Sequence, residues 1–354
     1  MTAWQAARSH PHTYPGTHPD GSFALVDGAV RDLVWEHPPK LSSLRLIDPV
    51  PAAGGSSGSL SDLLAERGLP GLEDRFPVLA YGGNRSPATL ALKLKHYGYL
   101  RTGRGIVLPV LTARMRGIDV VAGGLSGQGY LYADLYADDS TAGTQLNVHV
   151  LLLDSDQLRV MNDSEGVRTG LYDAALLGGM TLDGVTGPGS EFSAIAYCGV
   201  GPVVISPLTV SPLAFSAVRA TGRALPEFTA LEMLAHVLEA LDLIGEVRAV
   251  VGAGLDEPGH GSSPWPSAGV ELADSSVLAA ELMRYLNGQW WYRQHTGERR
   301  LLACERLHAL ISARLLAAST PTPVRSRLIT ENRILTADQA YRPGARHTLG
   351  ATLA

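Results

Sequence analysis

The chain has 354 residues, 45% of them hydrophobic and 18% charged, with a net charge of −5. That length suits one large domain or two ordinary ones, and that apolar share is enough to bury a real core. The mild charge is scattered, which argues against the basic footprint of a nucleic-acid or anionic-membrane binder.

Two cysteines, Cys198 and Cys304, stand far apart in apolar surroundings. A disulfide framework needs more cysteines and a tetrahedral metal site needs clustered ligands, so both read as small buried residues of a reducing compartment. The stretch MTAWQAARSHPHTYPG has no apolar secretory core, and no apolar run reaches the length of a membrane span. The expectation is a soluble, cytoplasmic protein.

In chain order, residues 1–75 open loosely, with His10, His12 and His18 in a proline-containing segment that reads as exposed. Two strand-like runs follow, SFALVDGAV and LSSLRLIDPV, then a small polar linker over 51–59. LSDLLAERGL reads as a short helix stopped by Gly68 and Pro70.

From 76 to 206 the pattern turns to β. FPVLAY is a continuous apolar run, as expected of a strand buried on both faces. SPATLALKLKHYG reads as a helix, with Ser86 capping, Pro87 at the first helical position and Gly98 closing it. IVLPVLTARMRGIDVVA, GYLYADLYAD, TQLNVHVLLLD and EFSAIAYCGV are strand candidates separated by turn residues. Between the last two, SDQLRVMNDSEGVRTGLYDAAL has a helical look. From 207 to 354 the chain is rich in Ala and Leu, and three long segments carry apolar residues at helical spacing.

Several chemistries lack their signatures. No histidines are spaced as metal ligands, and no lysine follows a glycine loop as phosphate binding by a P-loop requires. VVGAGLDEPGHG has a GxG, but Asp256 and Glu257 follow where a dinucleotide site needs a glycine and a helix start; it reads as a turn-rich loop. Two segments remain. Tyr81-Gly82-Gly83-Asn84 ends a strand just before a helix, where backbone N–H groups and the helix start together favour an anion or a developing oxyanion. In MNDSEGVRTGLYD, Glu165 directly precedes a glycine at a helix end; in a cleft, desolvation suits such a carboxylate to proton transfer.

Together these segments resemble the γ-glutamylcyclotransferase-like family, which carries a YGSN-L motif on its first core strand and a later LD…L…EG…Y segment with a catalytic glutamate. The matching residues here are Tyr81, Gly82, Gly83 and Asn84, then Leu153, Asp154, Leu158, Glu165, Gly166 and Tyr172, with Tyr197 in the following strand. The resemblance covers residues 76–205, a little over a third of the chain. It implies an α+β fold: a small, mixed, partly closed β-barrel with packed helices, here extended by a C-terminal helical region. It implies cleavage of a γ-glutamyl amide by the substrate's own α-amine, releasing 5-oxoproline and an amine, without metal or organic cofactor. Glu165 would be the general acid/base, Gly82 to Asn84 would bind the substrate through backbone N–H groups, and Tyr81, Tyr172 and Tyr197 would close the pocket. Two departures stand out: Gly83 replaces the family's serine, and Arg85, in place of an apolar residue, is expected to add positive charge for a carboxylate. Two alternatives accompany this reading. The same pocket could process another amide or acyl-amine, or the barrel could be a silent binding module whose C-terminal helices, with Trp290-Trp291, contact a protein partner or a second copy.

Overall fold

A computed structural model describes residues 6, 10–36, 43–47, 58–99, 105–185, 190–255, 275–292, 298–320, 323–331, 333–344 and 347–348. The side chains of Trp290, Trp291 and Cys304 lie outside this description, as do residues 51–57 of the expected linker.

Strands β1 (Phe23–Val26) and β2 (Ala29–Trp35) form a hairpin that continues into β3 (Leu44–Ile47) and β4 (Gly58–Ser59). Asp27 and Gly28 both have positive φ at the hairpin tip (50° and 88°), the geometry that matches the right-handed twist of flanking strands. Helix α1 (Leu60–Glu66) follows, and the central strands begin with β5 (Phe76–Ala80). After α2 (Pro87–His96) come β6 (Val107–Arg116), the hairpin of β7 (Asp119–Leu125) and β8 (Leu131–Tyr136), and β9 (Gln145–Leu153). Helix α3 (Ser155–Ser164) then leads to β10 (Tyr172–Leu182) and β11 (Glu191–Gly199).

Five of these strands close on themselves. β5 pairs with β9, β9 with β6, β6 with β10 and β10 with β11, all antiparallel; β11 returns to β5 in parallel through Ile195 and Val78. The expected α+β barrel is therefore present, and it is closed rather than partly closed. Closure removes the exposed edges that an open sheet would leave. Each side of β5 is buried: Val78 and Ala80 belong to the cluster under α2 and α3, with Leu90, Leu94, Leu158 and Met161. Leu79 and Tyr81, one residue out of phase, belong to the larger cluster. The N-terminal hairpin joins the barrel through β1, which pairs with β6.

After β12 (Val203–Ser206) the chain forms helices α4 (Ala230–Ala240), α5 (Ile244–Leu255), α6 (Ser275–Tyr292), α7 (Glu298–Ala317), α8 (Pro323–Thr330) and α9 (Ala337–Tyr341). Met233, Leu278, Leu282 and Ile311 of these helices extend the larger core. No helix among the described residues is long and apolar enough to cross a membrane.

The structure corrects two readings of the sequence. The helical look of residues 155–176 ends at Ser164, because Gly166 and Gly170 adopt left-handed φ (66° and 71°), and Tyr172 opens a long strand between β11 and β6. Residues 250–255, expected in a turn-rich loop, are the last turns of α5, and 256–261 lie outside the described residues.

Candidate active site

The turn after β5 is built for close approach. Arg85 N–H and Ser86 N–H donate back to Gly82 O and Gly83 O, both at 3.1 Å, winding Gly83–Arg85 into a short 3-10 turn. Pro87 then starts α2 with φ preset and no N–H to satisfy; Ser86 holds the capping position without a capping side-chain bond. A Cβ on Gly82 would lie 2.8 Å from the Tyr14 hydroxyl and 3.3 Å from Ala133 Cβ. Glycine is needed here because another chain segment presses against the backbone.

A second element delivers the carboxylate. Asp154 caps α3 through a reciprocal box: Gln157 N–H donates to Asp154 Oδ1 at 2.8 Å and Asp154 N–H to Gln157 Oε1 at 3.2 Å. Eleven residues after Asp154 the helix stops at Glu165, and Gly166 turns the chain away in the left-handed conformation. A Cβ on Gly166 would also lie 2.7 Å from Thr169 Oγ1. Glu165 is thereby held at the helix end with its side chain 13% exposed.

These two ends meet. Asn84 Nδ2 donates to Glu165 Oε1 at 2.9 Å. Lys93, two turns into α2, donates to Asn84 Oδ1 at 2.8 Å and forms an ion pair with Glu165 Oε1. One cavity of about 130 Å³ is lined by Tyr81, Gly82, Gly83, Asn84, Lys93, Glu165, Tyr172 and Tyr197 together with Tyr14, Tyr130, Tyr132 and Ala133. That is below the roughly 300–1,000 Å³ of drug-sized sites and fits a group the size of an amino acid.

The three expected tyrosines are not equivalent. Tyr81 O–H donates to Tyr197 O, and Tyr197 O–H donates to Asn162 Oδ1 at 2.7 Å, so both hydroxyls are committed within the protein. Tyr172 stacks edge-on to Tyr132 with ring centres 6.0 Å apart, and its hydroxyl has no hydrogen-bond partner among the described residues. Burial pushes the Tyr81, Tyr172 and Tyr197 phenols well above their ordinary range and keeps them neutral.

Arg85 stands apart from the rest. Its side chain is buried behind the turn, where Nε donates to His149 Nδ1 at 3.3 Å and Nη1 to Ala217 O at 3.2 Å. Burial, with Arg219 nearby, pushes its pKa down to about 10. It does not line the cavity, and the positive charge there comes from Lys93. Sequence reasoning missed Lys93, although Thr89 and Lys93 share the cavity-facing side of α2 at a spacing of one helical turn. It also missed Tyr14, whose aperiodic surroundings gave no signal. Tyr14 is buried, stacks on Tyr130 at 4.3 Å, and accepts a hydrogen bond from Ala133 N–H at 2.8 Å. Its neighbours His10 and His18 are half-buried rather than exposed; only His12 is open to solvent.

No cluster of three or more His, Cys, Asp or Glu suited to a metal ion occurs among the described residues. The arrangement offers an ion pair, a glycine turn and a ring of phenols in a small cavity: groups able to hold a charged amino-acid head and move its proton.

Two solved structures are similar to the chain. One is an uncharacterized human protein, 16% identical, with the match covering 58% of this chain and 99% of that one at a TM-score of 0.27. The other is a γ-glutamyl cyclotransferase, 12% identical, with 57% and 98% covered and a TM-score of 0.26. No protein-family model and no curated protein matches the chain.

Proposed function

We propose that the chain is a cofactor-independent enzyme of the γ-glutamylcyclotransferase type, cleaving a γ-glutamyl amide to 5-oxoproline and an amine. The observation that carries this reading is the 2.9 Å contact between Asn84 of the glycine turn and Glu165, inside one cavity. Two motifs eighty residues apart thus act on the same small volume.

The substrate's zwitterionic head matches the Lys93–Glu165 pair, carboxylate toward Lys93 and ammonium toward Glu165. Glu165 takes a proton from the α-ammonium. The freed amine attacks the γ-carbonyl carbon; a C–N bond forms and the carbonyl oxygen becomes an oxyanion against the Gly82–Asn84 turn. Glu165 returns its proton to the leaving nitrogen, and the tetrahedral centre collapses as the bond to that nitrogen breaks. The second proton shed by the attacking nitrogen is taken up by the departing amine, which leaves as an ammonium. Both reacting atoms belong to one molecule, so holding the glutamyl chain folded supplies much of the acceleration. Gly83 puts no hydroxyl beside the substrate, so this turn acts through its backbone. We place this enzyme in the cytoplasm.

The test is a mass-spectrometric screen of γ-glutamyl dipeptides and γ-glutamyl amines for 5-oxoproline, run beside Glu165→Gln. At least one substrate is expected to give product, and the variant to lose roughly 10²-fold or more in kcat. Product formation at the wild-type rate by Glu165→Gln would overturn the mechanism.

A further inference from the structure

Within the γ-glutamyl reading, the glycine turn does not meet the substrate unaided. The Tyr14 hydroxyl already sits over it: a Cβ on Gly82 would fall 2.8 Å from that oxygen, and the nearest atoms to one on Gly83 include Pro15 O and the Tyr14 ring. Ala133 N–H donates to the same oxygen at 2.8 Å. A phenolic oxygen that accepts one N–H group still has its own proton to give. Tyr14 lines the cavity that holds Glu165 and Lys93. Its ring is fixed by stacking on Tyr130 at 4.3 Å and by an edge contact with Phe215 at 5.4 Å.

We propose that Tyr14 is a catalytic residue, donating its hydroxyl proton in a hydrogen bond to the γ-carbonyl oxygen as that oxygen becomes an oxyanion. Ala133 then acts through Tyr14: its N–H group polarises the phenol, and the phenol projects that polarity into the cavity beside the glycine turn. Burial pushes the Tyr14 phenol above its ordinary range, so it stays protonated and remains a donor through the cycle. No proton is transferred to the oxygen; the hydrogen bond strengthens as charge develops and relaxes when the leaving amine departs with the proton from Glu165. Tyr14 belongs to the N-terminal segment, outside residues 76–205 that resemble the family.

The experiment measures 5-oxoproline formation by the full chain with Tyr14→Phe, and with fluorinated tyrosines of increasing acidity incorporated at position 14. Tyr14→Phe is expected to lower kcat by roughly 10²–10³-fold, as loss of one oxyanion donor does, while KM changes little. In the fluorinated series kcat is expected to rise with phenol acidity at a pH where the phenol remains protonated, with the melting temperature unchanged. A folded Tyr14→Phe protein that keeps its kcat overturns the proposal. So does a fluorinated series with flat kcat, which would assign Tyr14 a packing role. If the wild-type chain forms no 5-oxoproline from any γ-glutamyl amide, the underlying reading falls and this proposal falls with it.

Discussion

Asp134 shows what the cavity wall demands of a single residue. It follows Ala133 on β8 and is buried; Oδ1 accepts Leu135 N–H at 2.8 Å and Gly199 N–H at 3.0 Å, whereas Oδ2 is buried without a partner. Burial pushes its pKa from 3.8 up to about 6, with the two N–H bonds and Arg325 pulling the other way. The folded state therefore holds the proton more tightly than the unfolded chain, and stability present below about pH 4 is lost as pH rises through about 6. At ~1.4 kcal/mol per pKa unit the ionised carboxylate costs about 3 kcal/mol at neutral pH. Asp134→Asn keeps an acceptor for both N–H groups and removes that charge. Denaturant unfolding should find the variant more stable than wild type at pH 7.5 and the gap closing toward pH 4. At this scale Glu165 was legible, because a glutamate before a helix-stopping glycine is a recognisable pattern. Asp134 was not: in GYLYADLYAD it alternates like a residue facing solvent, and only tertiary packing reveals that both faces of β8 are covered.

Elements were legible where they carry their own punctuation. Ser86-Pro87 at the start of α2 and Gly98 beyond its end have local reasons, and both mark the helix as expected; Gly98 takes a positive φ of 86°. β10 has no such signal. Its Ala-Leu-Gly sequence is permissive, and its identity comes from pairing on both sides with β11 and β6. Helix α3 joins the local and tertiary scales, since its N-terminal box also anchors the barrel. Asp154 Oδ2 accepts Tyr99 O–H at 3.1 Å, and Gln157 Oε1 accepts from the buried Arg75 guanidinium at 3.1 Å. Arg75 in turn donates to Val107 O and Leu152 O at 3.3 and 3.0 Å. Asp154→Ala removes a cap worth roughly 0.5–2 kcal/mol and also leaves a buried Tyr99 hydroxyl short of its acceptor. Calorimetry should show a loss at or slightly above the upper end of that range. Because α3 aims Glu165, kcat should fall with it, while Glu165 itself is unaltered.

For the whole molecule, the decisive events are long-range, and the sequence could announce only their parts. Barrel closure depends on a parallel pairing of β11 with β5 across more than a hundred residues, and no local pattern encodes it. The N-terminal segment brings Tyr14 to the cavity and His18 to a second contact behind the turn. There His149 of β9 accepts from Arg85 Nε at 3.3 Å, stacks edge-on to His18 at 5.4 Å, and buries Nε2 without a partner. Burial, then the Arg85 cation, then His18 push the His149 pKa from 6.5 down to about 3. The unfolded chain therefore takes up a proton that the folded one refuses, so stability present above about pH 6.5 is lost as pH falls through about 3, by ~5 kcal/mol in all. This slope is opposite in sign to that of Asp134, so the two must be separated by substitution. His149→Asn retains an acceptor for Arg85 and cannot become charged. Its unfolding free energy should fall less steeply than that of wild type between pH 6.5 and 4, whatever its absolute value at neutral pH. Equal slopes for the two proteins would show that the joint between the N-terminal segment and the turn at Gly83–Arg85 does not depend on a neutral His149.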